Sequence, residues 1–99
     1  MTTVRIALAN LDAPNTPTEA VQLATAAIHE AGRQQARVLC FPECFIPGYR
    51  WPDTRLPEPD PLFLEQALVT VAAAAKAAAV TVIVGTERCT ERGLQITAC

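Results

Sequence analysis

Three short apolar runs, Val4–Ala9, Val38–Phe41 and Val80–Gly85, are separated by much longer stretches with a different rhythm. Runs that are apolar almost throughout suit strands covered on both faces, the pattern of a parallel sheet. Parallel neighbours need long crossovers, usually helical. Two are present. In Thr18–Gln34, Ala20, Leu23, Ala24, Ala27, Ile28 and Ala31 recur at three- and four-residue spacing. Thr16 or Thr18 is placed to cap that helix, with Glu19 in its first turn. Leu62–Ala79 carries Leu64, Leu68, Val71 and Ala75 in the same rhythm, and Leu94–Ala98 reads as a further strand after a turn at Arg92-Gly93. The order is β-α-β-loop-α-β-β, an α/β chain. Its first three strands are expected in one sheet, the first two parallel, with both helices on one face.

Ninety-nine residues bound the chain to one small domain. Hydrophobic residues make up 51% and charged residues 18%, a globular mixture richer in apolar groups than disordered segments are. A formal charge of −2, with Arg33 and Arg37 the nearest approach to a basic patch, gives no reason to expect nucleic acid or an anionic membrane as partner. No run is apolar for the ~20 residues of a membrane span. Val69–Val84 comes closest, and Lys76, Thr70 and Thr81 fall within it. The start, Met1-Thr2-Thr3-Val4-Arg5, lacks the pattern of a signal peptide, so a cytoplasmic location with reduced thiols is expected. Cys40, Cys44, Cys89 and Cys99 then read as free thiols. None forms a C-x-x-C pair, and with one histidine no metal site is expected.

Chemistry concentrates after the second strand. Between Pro42 and Pro61 the chain holds six prolines, a density that neither a helix nor an inner strand tolerates, so a long irregular loop is expected. Loops of that length in compact domains are usually functional. Its entrance reads Phe41-Pro42-Glu43-Cys44-Phe45-Ile46-Pro47-Gly48-Tyr49. A hydrophobic strand thus delivers a carboxylate, Glu43, at its carboxyl end, where open α/β sheets bind ligands. A carboxylate at the rim of an apolar core is partly desolvated, which raises its pKa and suits a general base. Glu43 is expected to face a cleft that also receives Tyr49 or its loop. Gly48 permits a positive φ or a close backbone approach beyond it.

That segment resembles the first signature of the nitrilase superfamily of carbon–nitrogen hydrolases, in which a strand is followed by Pro-Glu, an aromatic or apolar residue, and Gly-Tyr. Val4–Asn10 is similar to the family's opening strand, which often ends on glutamine where this chain has Asn10. Val82–Thr86 resembles its third strand. Gly93–Ala98 resembles its next hairpin, with Ile96 where the family commonly has asparagine. The resemblance implies the N-terminal part of a nitrilase-like αββα sandwich and a Glu-Lys-Cys mechanism acting on amides, nitriles or N-carbamoyl small molecules, with no cofactor and no metal. The glutamate takes the thiol proton, the cysteine attacks carbon to form a thioester, and the lysine stabilises the tetrahedral intermediate. A thiol of ordinary pKa, about 8.5, needs such help at neutral pH. Glu43 matches the family glutamate. The lysine and cysteine are expected downstream of the Gly-Leu hairpin, so residues 1–99 are read as an incomplete carbon–nitrogen hydrolase domain, inactive alone, with a homo-oligomer possible. Leu94–Cys99 runs apolar with nothing to stop it, which reads as truncation.

Other candidates have plainer readings. Lys76, the sole lysine, sits among helical alanines as a solvated residue. Cys44 follows Glu43 on what reads as extended backbone, so the two side chains point apart and Cys44 is pocket wall. Cys40 is a buried strand residue, Cys89 falls in a polar turn, and His29 lies mid-helix. Tyr49, ahead of Trp51, is the candidate substrate-binding aromatic, although loop aromatics often pack beneath their own loop. Two alternatives stand beside the hydrolase. A nucleotide-binding α/β module fits the opening β-α-β, but Asn10–Pro17 contains no glycine to cradle a phosphate. A truncated, non-catalytic product whose only activity is association is compatible with the family resemblance.

Overall fold

The computed structural model describes residues 3–99. Chain order is β1 (Ile6–Leu8), α1 (Pro17–Arg33), β2 (Val38–Cys40), α2 (Pro61–Ala78), β3 (Thr81–Ile83), β4 (Gly85–Thr90) and β5 (Gly93–Ala98). The helices start where side-chain chemistry makes starting cheap. The Thr16 hydroxyl accepts from the Glu19 amide at 3.0 Å, the Asp60 carboxylate accepts from the Phe63 amide at 3.1 Å, and each cap is followed by a proline. A side-chain acceptor satisfies an amide that has no partner within the helix, and proline at the first position has no amide to satisfy.

The first three strands form one parallel sheet in the order β1-β2-β3. Its central row is Ala7, Leu39 and Val82, in register, and this row faces the core together with the buried stripes of both helices. On α1 the stripe is Ala20, Ala24, Ile28 and Ala31, as the periodicity predicts. On α2 it is Leu64, Ala67, Val71 and Ala74, turned from the expected stripe: Leu68 and Ala75 are only half-buried. Small residues face the neighbouring helix because the two approach closely; a Cβ on Gly32 would lie 3.0 Å from that of Ala78. Helix α2 is 18 residues long with mean hydropathy 1.2, enough by length and composition to cross a membrane. Here it carries this capped, periodic stripe and packs on α1, β3 and β4.

Two expectations need correction. Gly85–Thr90 is a strand, β4, which pairs antiparallel with β5 from Gly85↔Ala98 to Thr90↔Gly93. Cys89 therefore lies in a ladder and not in a turn. The alternating charges of Glu87 and Arg88 hid this strand from a reading that looked for apolar runs. The second concerns burial. Ile6 and Leu8 are exposed, Leu8 by 78%, and Ile83, Leu94 and Ile96 are exposed too. The runs read as strands covered on both faces are covered on one, because among the described residues both helices pack on the Ala7–Leu39–Val82 side.

Candidate functional site

The chain leaves β2 at Cys40 and reverses almost at once. Phe41 donates its amide to Ile83 at 2.8 Å, the last parallel bond of the sheet. The Phe45 amide then returns to the Pro42 carbonyl at 3.3 Å, closing a turn with Glu43 and Cys44 at its centre. Cys44 takes the left-handed conformation, φ 50°, unusual for a residue with a side chain. It does so because the residues after it are anchored. Phe41 and Phe45 pack with ring centroids 5.2 Å apart, and Phe45 and Ile46 are buried. Ile46 donates to the Gly85 carbonyl at 3.2 Å and bridges Thr86, and the Ile46–Pro47 peptide is cis. Gly48 has φ 131°, the positive φ expected of it, and its amide reaches the Cys44 carbonyl at 3.2 Å.

Glu43 thus stands just beyond the carboxyl end of β2 on an anchored turn. Its side chain is exposed, and it is absent from the linings of five cavities among the described residues. The partial desolvation expected of it is not supplied by the described residues, among which Glu43 is exposed. Tyr49 is 43% exposed and stacks on Trp51, ring centroids 4.6 Å apart, so the loop aromatics pack on each other. The cavity nearest this loop, about 300 Å³, is lined by Arg50, Pro47, Glu58 and Phe63 among others, and by neither Glu43 nor Tyr49.

Cys44 is on turn backbone rather than the extended backbone expected, and it is absent from the linings of the same five cavities. It is buried, and burial pushes its thiol above the ordinary value of 9.0, with the charges of Glu43 and Glu87 adding to the effect. A thiol held protonated is a poor nucleophile. Lys76 is exposed in the last turn of α2, and His29 is exposed on α1. Cys89 and Cys99 are exposed on the hairpin, and Cys40, expected to be buried, is only half-buried in β2. No three His, Cys, Asp or Glu side chains among the described residues are grouped to hold a metal.

The sequence reading missed one pair. Glu87, the second residue after the start of β4 at Gly85, is only 4% exposed, and its two carboxylate oxygens accept from Nε and Nη2 of Arg50, the latter at 3.0 Å. Arg50 Nη1 also donates to the Pro57 carbonyl at 2.9 Å. This hydrogen bonding to Glu87 holds the guanidinium above its ordinary range. The only signal available in sequence was an arginine just beyond Gly48-Tyr49 and a glutamate after the third apolar run, with nothing to join them.

The strand that ends in an anchored Pro-Glu turn, the proline-rich loop and the Gly-Leu hairpin all fall within a match to the carbon–nitrogen hydrolase family model, which spans residues 5–96. No curated protein and no solved structure matches the chain. A match running from β1 into β5 covers nearly every described element and includes Glu43, so this chain is a member of the carbon–nitrogen hydrolase family.

Proposed function

We propose that this chain carries the general base of an enzyme that hydrolyses a non-peptide carbon–nitrogen bond in a small amide, nitrile or N-carbamoyl compound. The observation that carries the reading is Glu43: a solvent-accessible carboxylate at the carboxyl end of a parallel strand, on a turn fixed by buried neighbours, in a chain of this family. In the scheme, written for an amide, Glu43 accepts the proton of a cysteine thiol, the thiolate attacks the substrate carbon, and a lysine ammonium stabilises the charge that develops. The carbon–nitrogen bond breaks as the amine leaves with the proton held by Glu43, and water then hydrolyses the thioester. The scheme calls on no cofactor.

Residues 1–99 supply the base alone. Lys76 belongs to the far end of α2, and Cys44 is buried with a raised pKa. Members of a triad act as a unit, so one of three yields little rate. The lysine and cysteine would come from sequence beyond Cys99, and Met1–Cys99 by itself is inactive. The test has two arms. Met1–Cys99 is assayed for ammonia release from a panel of amides, nitriles and N-carbamoyl compounds, with none expected above background. The coding sequence past codon 99 is then read. An in-frame lysine and strand-end cysteine, with ammonia release from the longer product reduced at least ~10³-fold by Glu43→Gln, supports the reading. Activity of the longer product that survives Glu43→Gln removes it.

A further inference from the structure

Glu87 is a buried charge with no part in that scheme. Burying two opposite charges costs desolvation that an apolar pair of the same size avoids, so such a pair is a poor source of stability and a better source of geometry. The geometry here is specific. Gly85 and Glu87 lie on one face of β4. Gly85 is pressed onto the Pro42–Cys44 turn, and Glu87, two residues on, reaches over to Arg50. Arg50 in turn holds the Pro57 carbonyl, so one guanidinium ties both ends of the Arg50–Pro57 limb to the strand under Glu43. Cys44 keeps a left-handed conformation that an L-residue holds only where its surroundings over-determine it.

We propose that Arg50 and Glu87 form a latch that holds the Glu43 turn closed on β4, so that both are positioning residues for Glu43. The functional half of this rests on the reading of Glu43 as base; the closure itself does not. Opening of the latch frees the Pro42–Ile46 turn from Gly85 and exposes the Cys44 thiol, which the closed turn buries. Cys44 therefore reports the latch when its rate is read across pH and compared at equal thiolate fraction, because the charges of Glu87 and Arg50 also act on the thiol.

The experiment uses Met1–Cys99 carrying Cys40→Ser, Cys89→Ser and Cys99→Ser, leaving Cys44 as the single thiol, and measures its rate of modification by a disulfide reagent under native conditions. Glu87→Gln and Arg50→Met each raise that rate about 10- to 100-fold, the range of opening that loss of a charge-assisted contact permits. The exchanged pair Arg50→Glu/Glu87→Arg brings it back toward the parent, and Arg50→Lys, a point charge without the two-pronged fork, falls between. Val71→Ala, a core change on α2, is the control for a purely structural effect: it lowers the urea midpoint without a comparable rise in Cys44 reactivity. If Glu87→Gln does not fold, the comparison of Arg50→Lys with Val71→Ala decides. Equal Cys44 rates in latch and core variants of matched midpoint overturn the proposal. Glu43→Gln, which removes a charge beside Cys44 but no latch contact, raises the Cys44 rate by less than either latch variant does. Loss of the hydrolase reading therefore leaves the latch standing, and the reverse holds too.

Discussion

A Cβ placed on Gly85 would lie 2.5 Å from the carbonyl oxygen of Pro42, closer than two such atoms approach. The same position would be 2.7 Å from the Cys44 amide nitrogen and 2.8 Å from the Glu43 Cα. The start of β4 and the turn that carries Glu43 are thus in backbone contact, and glycine is what allows it.

Gly85→Ala is expected to destabilise the chain by about 1–3 kcal/mol, the usual cost of overpacking a tight site. The obstacle is backbone on three sides, so no flexible side chain can yield. Urea unfolding measures the loss, and an unchanged midpoint would show that the turn can lift off β4 without penalty.

Helix capping offers a local test of the fold. Thr16→Ala and Asp60→Ala each remove the acceptor for an otherwise unpaired amide and should each cost about 1 kcal/mol. Circular dichroism through a thermal scan reads both; a loss from Asp60→Ala alone would mean that the α1 cap contributes nothing.

Cys44 makes a prediction for alkaline pH. Its thiol pKa is raised in the folded chain, first by burial and then by the charges of Glu43 and Glu87. The unfolded chain releases this proton near the ordinary 9.0 while the folded chain keeps it to higher pH. Between those points the folded state binds more protons, so stability falls as pH rises. The contribution is complete below pH 9.0 and is lost as pH climbs through the raised value. Cys44→Ala should flatten that part of the stability curve relative to the parent. Identical slopes above pH 9.0 would show that the buried thiol is not linked to folding.

The bare side of the sheet should drive association. Ile6, Leu8 and Ile83 form an apolar surface there, and surfaces of this kind seldom stay uncovered in solution. Sedimentation of Met1–Cys99 is expected to show mass rising with concentration. Leu8→Lys, at an exposed position, should shift the distribution toward monomer with a stability change within about 0.5 kcal/mol. Monomer at all concentrations in the parent would remove the basis for this expectation.

What the sequence determined by itself is local. Thr16-Pro17 and Asp60-Pro61 start helices because a cap and its proline act within four residues. The α1 stripe follows from periodicity, and the helical crossover between the first two apolar runs set them parallel in one sheet, whereas the parallel pairing of β3 came from the structure. Glu43 was legible as a strand-end carboxylate because Pro42, Gly48 and Tyr49 punctuate the loop around it. Tertiary structure alone decided the rest. Arg50 and Glu87 are 37 residues apart, and no local pattern tells a charge which partner it will meet. The requirement for glycine at position 85 comes from the turn at Pro42–Cys44, a contact invisible until β4 lies beside it. Which residues of α2 face inward was set by how closely α1 approaches, and the exposure of Leu8 by both helices packing on the opposite side of the sheet. Periodicity specifies which residues share a face; only the packed chain specifies whether that face is covered.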